Sequence, residues 1–167
     1  AGDVGIKLQF PEPGSGKIKH GAETEWVLET FTDADWSSNK AHRRSTSCSV
    51  HFINGCFAFG ASRSQKVISL SSAESELHSM VSGCCDGIYI KSCLEFLVGL
   101  TVEHHQFTDN SAARQLISRQ GVGRIRHLSG KLLWMQSKVL NGDVMVHQVS
   151  TVWNYRSEER RVGKECR

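Results

Sequence analysis

Apolar and polar residues alternate along the early part of the chain and then change period. Trp26 to Thr32 is rich in Val, Leu, Phe and Thr between polar flanks, which predicts a strand. Cys48, Val50 and Phe52 alternate with Ser47, Ser49 and His51, the period of a half-buried strand. Asn54-Gly55 follows, and both residues tolerate positive φ, so a tight hairpin is expected there. Phe57 and Phe59 carry the alternation onto the return strand. These three strands predict an antiparallel meander. After Ser71 the period becomes helical. Leu77, Val81, Cys84, Ile88, Leu94 and Leu97 predict the buried stripe of a long helix from about Ser72 to Leu97. Gly83 and Gly87 lie one turn apart on it and mark close packing, although each weakens the helix by about 1 kcal/mol relative to Ala. A strand at Val102–Thr108, a helix at Ser111–Ser118, a break at Gly121-Val122-Gly123, a helix at Leu128–Leu140 and a strand at Val144–Val146 complete the pattern. Asn141-Gly142 supplies the stop of the second-last element.

The order β-β-β-α-β-α-α-β predicts an α/β (mixed α+β) architecture, with a mixed sheet carrying helices on its faces. The chain has 167 residues, enough for one domain with a single core. Pro11, Pro13, Gly14, Ser15 and Gly16 make residues 1–24 a loop-rich lead-in. The domain proper is expected over 25–154, with a charged tail at 155–167. Net charge is +3, but Arg156 to Arg167 holds five basic and three acidic residues and supplies two of those charges. The body is therefore close to neutral, and any nucleic-acid contact would need local patches rather than a global field. No apolar run reaches the roughly 18 residues of a membrane span, and the N-terminus lacks a charged-then-apolar signal pattern. The six cysteines form no C-x-x-C pair, and Cys84 and Cys85 are adjacent. Reduced thiols in an intracellular protein are the expectation.

Candidate chemistry sits in three acidic segments. They are Thr32-Asp33-Ala34-Asp35-Trp36, Ser71-Ser72-Ala73-Glu74-Ser75-Glu76-Leu77 and Phe107-Thr108-Asp109-Asn110-Ser111. The first and third fall at strand ends, and the second opens the long helix. If the two strands are neighbours, Asp33 and Asp109 lie side by side. Acids that converge repel one another unless a cation holds them, and hard divalent cations take oxygen ligands. Ser71-x-x-Glu74 matches a capping box, which gives Glu74 a structural task. Glu76 lies roughly 200° further around the helix and is the freer candidate. The chemistry suited to such a cluster is phosphodiester hydrolysis with two Mg²⁺ or Mn²⁺ ions about 3.5–4 Å apart. One ion would activate the attacking water and the other would stabilise the leaving 3′ oxygen. Asp33 is the natural bridging ligand.

The first and third segments, with Arg43-Arg44-Ser45-Thr46-Ser47 and Gln65-Lys66-Val67-Ile68-Ser69-Leu70-Ser71-Ser72-Ala73-Glu74-Ser75-Glu76, closely resemble the ribonuclease H region of copia-type retrotransposon Pol polyproteins. Arg126-His127-Leu128 resembles the segment that opens a later helix there, and Gln148 to Asn154 the entry to the last helix. The match covers about Glu25 to Asn154. The resemblance implies a ribonuclease H-like fold with a five-stranded mixed sheet. It implies Mg²⁺-dependent cleavage of the RNA strand of RNA–DNA hybrids during reverse transcription. It also implies partnership with the reverse transcriptase portion of the same polyprotein, and a place in a cytoplasmic particle or the nucleus. Asp33, Glu76 and Asp109 match its metal-binding acids.

The tail departs from the resemblance. Ser157 stands where the family carries its fourth metal-site acid, and residues 155–167 lack the apolar stripe of a last helix. That helix is expected to be missing or altered, by truncation, frameshift or a processing scar. Ser129 stands where many relatives have Asp, which touches none of the metal-site acids. A catalytically impaired remnant that binds nucleic acid is therefore the competing reading. DNA strand transfer fits less well, because its usual acid order places the Glu last.

Other signals are weaker. Arg114, Arg119, Arg124, Arg126 and Lys131 cluster about the Gly121 loop and could meet hybrid phosphates or form a solvated face. Arg43 and Arg44 carry the same two readings on a loop expected two strands from the acids. His104-His105 is read as one buried and one solvated imidazole rather than a metal pair. Gly121-Val122-Gly123 lacks the strand and the third Gly of a phosphate loop. Trp26, Trp134 and Trp153 read as packing, whereas Trp36 adjoins the acids directly.

Overall fold

The computed structural model describes residues 26–37, 42–121 and 129–150. The lead-in over 1–24 and the tail over 155–167 lie outside those residues, as do Arg124, Arg126 and Ser157. Five strands form one sheet: β1 (Trp26–Asp35), β2 (Thr46–Ile53), β3 (Cys56–Ser64), β4 (Val102–Thr108) and β5 (Met145–Gln148). Three helices accompany them: α1 (Ser72–Val98), α2 (Ser111–Ser118) and α3 (Ser129–Leu140). The sheet order is β3-β2-β1-β4-β5. β1, β2 and β3 pair antiparallel, while β4 joins β1 and β5 joins β4 in parallel. The expected meander and mixed sheet are both present. Asn54 (φ 48°) and Gly55 (φ 78°) make the tight turn with the two successive left-handed residues that a hairpin of this length needs.

The sheet faces two layers. On one side Leu77, Met80 and Cys84 of α1 meet Ala113, Ile117, Leu132, Met135 and Val144 in the main apolar cluster. On the other side Phe31, Phe52 and Phe107 come from three adjacent strands, with Phe31 stacked on Phe107 at 4.7 Å between ring centroids.

α1 meets the sheet along a line of small residues. Ser75, Ser79, Gly83 and Gly87 recur every four positions and all are buried. A Cβ at Gly83 would lie 2.4 Å from Thr32 Cγ2, and one at Gly87 would lie 2.4 Å from His104 Cε1. Four helical residues rise about 6 Å, and two strand residues advance about 6.6 Å. One turn of α1 therefore matches two residues of β1, running the opposite way. Gly87 sits at Thr30 and Gly83 at Thr32. Continuing towards the start of α1 brings Glu76 level with Ala34, whose N–H it accepts.

The apolar stripe expected along α1 holds over its first half only. Leu77 and Cys84 are buried and Val81 and Ile88 pack at the rim of the cluster, but Leu97 is 77% exposed. The helix–strand register gives the reason. Its last turn lies beyond Trp26, where β1 begins, so the sheet no longer backs it. β3 is also more exposed than its alternation predicts, with Phe57 and Phe59 half-exposed on the edge of the sheet. β1 runs three residues longer than expected, so Asp33 lies within the strand rather than after it.

Candidate active site

The register of the two central strands builds the site. Phe31 pairs with Phe107 in parallel. Two residues further along each chain stand Asp33 and Asp109, so the two acids emerge side by side. Thr32 Oγ1 donates to the Phe107 carbonyl at 3.2 Å and fastens the strands just before the acids. Asn110 then caps α2 by accepting the Ala113 N–H at 2.9 Å, which turns the chain away immediately after Asp109.

Glu76 arrives from α1. Asp33, Glu76 and Asp109 each offer a carboxylate oxygen, and these oxygens lie within 4.8 Å of one another. Glu76 is buried, while Asp33 and Asp109 are half-buried. Its Oε1 accepts the Ala34 N–H at 3.2 Å, and its Oε2 is buried without a hydrogen-bond partner. Burial pushes the Glu76 carboxyl up from 4.5 to about 8, the charges of Asp33 and Asp109 add to the rise, and the Ala34 bond opposes it. A hydrogen bond between Glu76 and Asp33 needs a proton on one of the two acids. The residues therefore fit a divalent cation on three counts. The donors are all hard oxygens, one buried oxygen lacks a donor, and the mutual repulsion is what a positive charge would relieve.

Glu74 is not part of this group. Ser71 Oγ accepts its N–H at 3.2 Å, and Glu74 Oε2 accepts the Leu70 N–H at 2.8 Å. The expected capping role is present, with Leu70 rather than Ser71 as the backbone donor.

Serine and glutamine side chains hold the site from behind. Ser79 Oγ lies 2.6 Å from the Asp33 carbonyl and 3.1 Å from that of Cys48, so α1 is stitched to β1 and β2 at the acid. Gln65 is buried and donates to Ser47 Oγ and to the Ser75 carbonyl, both at 2.9 Å. Ser69 Oγ donates to Gln65 Oε1, and Trp36 Nε1 donates to the Ser69 carbonyl. The sequence reading missed Ser79 and Gln65. The available signal was the four-residue spacing of Ser75, Ser79, Gly83 and Gly87.

The remaining candidates are placed differently. Arg43 and Arg44 are exposed and stand on the connection leading directly out of β1, not two strands away. Ser45 Oγ accepts the Ser37 N–H at 3.0 Å, which pinches the two ends of that connection together. Arg119 is exposed and Arg114 half-buried. Lys131 Nζ lies 2.9 Å from His78 Nδ1. Both His104 and His105 are buried, contrary to expectation. Their side chains do point to opposite faces, but neither face is open there. His104 Nε2 meets Thr30 Oγ1 beneath α1, and His105 Nδ1 meets His147 Nε2, each at 2.9 Å.

No protein-family profile matches the sequence, and no curated protein matches it. Solved structures do. LC11-RNase H1 in complex with an RNA/DNA hybrid superposes with a TM-score of 0.52 at 13% identity, over 81% of this chain and 92% of that one. A second structure of LC11-RNase H1, an enzyme isolated from compost by a metagenomic approach, gives 0.52 at 12% identity over 81% and 91%. The chain has a ribonuclease H-like fold. The N-terminal RNase H domain of a Mycobacterium tuberculosis protein, solved as a fusion with maltose-binding protein, gives 0.50 at 13% identity over 77% and 85%. At such identities the likeness is one of fold, with a mixed five-stranded sheet and helices on its faces.

Proposed function

We propose that this chain is a divalent-metal-dependent ribonuclease H that cuts the RNA strand of RNA–DNA hybrids. The observation that carries the reading is the convergence of Asp33, Glu76 and Asp109, with a buried Glu76 oxygen left unpartnered. A protein of the same fold has been solved with an RNA/DNA hybrid bound, which supports the substrate class. The finer assignment is to the Pol polyprotein of a copia-type retrotransposon, acting in reverse transcription beside the reverse transcriptase portion, in a cytoplasmic particle or the nucleus. It rests on the motifs around Asp33, Arg43, Gln65 and Asp109.

Asp33, Glu76 and Asp109 would hold Mg²⁺ or Mn²⁺. When bound, the ions supply charge to the scissile phosphate and a water acidic enough to act as nucleophile. The chain's own contribution is placement. The β1–β4 register fixes Asp33 beside Asp109. Ala34 N–H orients Glu76, and Ser79 holds the Asp33 backbone. Ser157 at the position of the expected fourth acid favours a second reading, a remnant that binds hybrid without cutting it.

The test is cleavage of a hybrid labelled on both strands, with Mg²⁺ or Mn²⁺, beside Asp33→Asn. RNA-strand cutting that the substitution lowers by a hundredfold or more is the expected result. Hybrid binding without cutting would support the remnant.

A further inference from the structure

We propose that Trp36 is a substrate-contacting residue, its indole face taking a nucleoside of the strand that lies across the acid cluster. This inference rests on the hybrid-binding reading above. Trp36 follows Asp33 by three residues and is 50% exposed, although burying so large a ring would stabilise the fold. Its N–H is already committed to the Ser69 carbonyl at 3.2 Å. The ring is thus held by its polar edge.

The anchor is itself fixed. Ser69 bonds to the buried Gln65, and Gln65 bonds to Ser75 at the start of α1, one residue from Glu76. Trp36 is therefore tied to the same helical turn as the acid cluster, and its position is set by the backbone that sets the acids. Val67, Ile68 and Leu70 on the same anchored loop are 45%, 57% and 76% exposed. Apolar surface beside three carboxylates is unsuited to a phosphate and suited to a base or sugar.

Electrostatics point the same way. The acids repel a polyanion, so contacts next to them must draw affinity from a source other than charge. Stacking on an aromatic ring is such a source, and it tolerates any base. Arg43 and Arg44 return to this point, because Ser45 Oγ accepts the Ser37 N–H and so closes the β1–β2 connection beside Trp36. Their guanidinium groups provide the phosphate-directed charge that the indole lacks. An aromatic face with neighbouring cations is the composition of a single-strand platform.

The experiment measures hybrid affinity by fluorescence polarisation in the inactive Asp33→Asn chain, over a range of salt. Adding Trp36→Ala is expected to weaken binding about five- to a hundredfold and to leave the salt slope unchanged. Trp36→Phe, which keeps a ring, is expected to retain most of the affinity. Arg43→Ala with Arg44→Ala is expected to flatten the slope instead. Intrinsic fluorescence adds a second readout that does not need the alanine variant to fold. The emission lost on changing Trp36 to Phe should be the part that hybrid quenches. Unaltered affinity in folded Trp36→Ala, or quenching that survives in Trp36→Phe, overturns the inference while the hybrid-binding reading stands. No binding by the Asp33→Asn chain itself overturns both. Binding that depends on Trp36, without RNA cutting by the unsubstituted chain, upholds this inference and refutes the nuclease.

Discussion

Glu76 is where the fold carries its least favourable charge. With its carboxyl pushed up to about 8 in the folded chain and ordinary near 4.5, the folded state binds the extra proton between those values. Stability from this group is complete below about 4.5 and is lost as pH rises through about 8. Glu76→Gln keeps the shape and removes the titration. Without divalent ions, this substitution is expected to raise the melting temperature at pH 8.5 relative to the parent and to have little effect at pH 5. Thermal melts in chelator at both values check this. At this scale the acids were legible because Phe31-Thr32-Asp33 and Phe107-Thr108-Asp109 repeat the same three residues at two strand ends. The separation of Glu76 from Glu74 followed from capping chemistry. Ser79 and Gln65 were not legible, since a serine in a helix or a glutamine in a loop becomes structural only when a particular backbone carbonyl or hydroxyl faces it.

α1 is the element that sets the geometry. Its Ser75-Ser79-Gly83-Gly87 line lets the helix approach the sheet closely enough to bring Glu76 to Ala34. Gly83→Ala isolates this effect. Helix propensity alone favours Ala by about 1 kcal/mol. The new Cβ would lie 2.4 Å from Thr32 Cγ2, and overpacking of that kind costs about 1–3 kcal/mol or more. A net loss of about 1 kcal/mol or more in denaturant unfolding is therefore expected, with cation affinity falling as well. A gain in stability would mean that α1 can lift off the sheet at no loss. The helix itself was plain from its period, and so was the tightness implied by its two glycines. Its buried face was only partly legible. Leu97 continued the apolar stripe in sequence, but burial requires a sheet behind it, and the length of β1 relative to α1 is a tertiary quantity.

Across the whole molecule, an unusually polar interior lies beneath α1. His51 and His104 both bond Thr30 Oγ1, and the outer nitrogens His51 Nε2 and His104 Nδ1 are buried without partners. Burial lowers His51 from 6.5 to about 4 and His104 to about 3, with further lowering of His104 by neighbouring positive groups. The unfolded chain therefore takes up protons first as pH falls below 6.5. Stability is present above that value and is lost progressively down to about 3–4. Acid titration followed by circular dichroism should show unfolding begin in this window, and His104→Asn should shift it towards lower pH. The mixed sheet and its order of elements could be read from the sequence, because the switch from period two to helical period is local. Burial of both His104 and His105 could not, since it depends on what covers each face of β4.

The central claim is that Asp33, Glu76 and Asp109 form one cation site, and calorimetric titration with Mn²⁺ tests it most directly. The account predicts saturable binding that tightens from pH 6 to pH 8.5, as the proton on Glu76 ceases to compete, and that Asp33→Asn or Asp109→Asn weakens at least tenfold. Binding that is absent, independent of pH or unchanged in those two variants would contradict it.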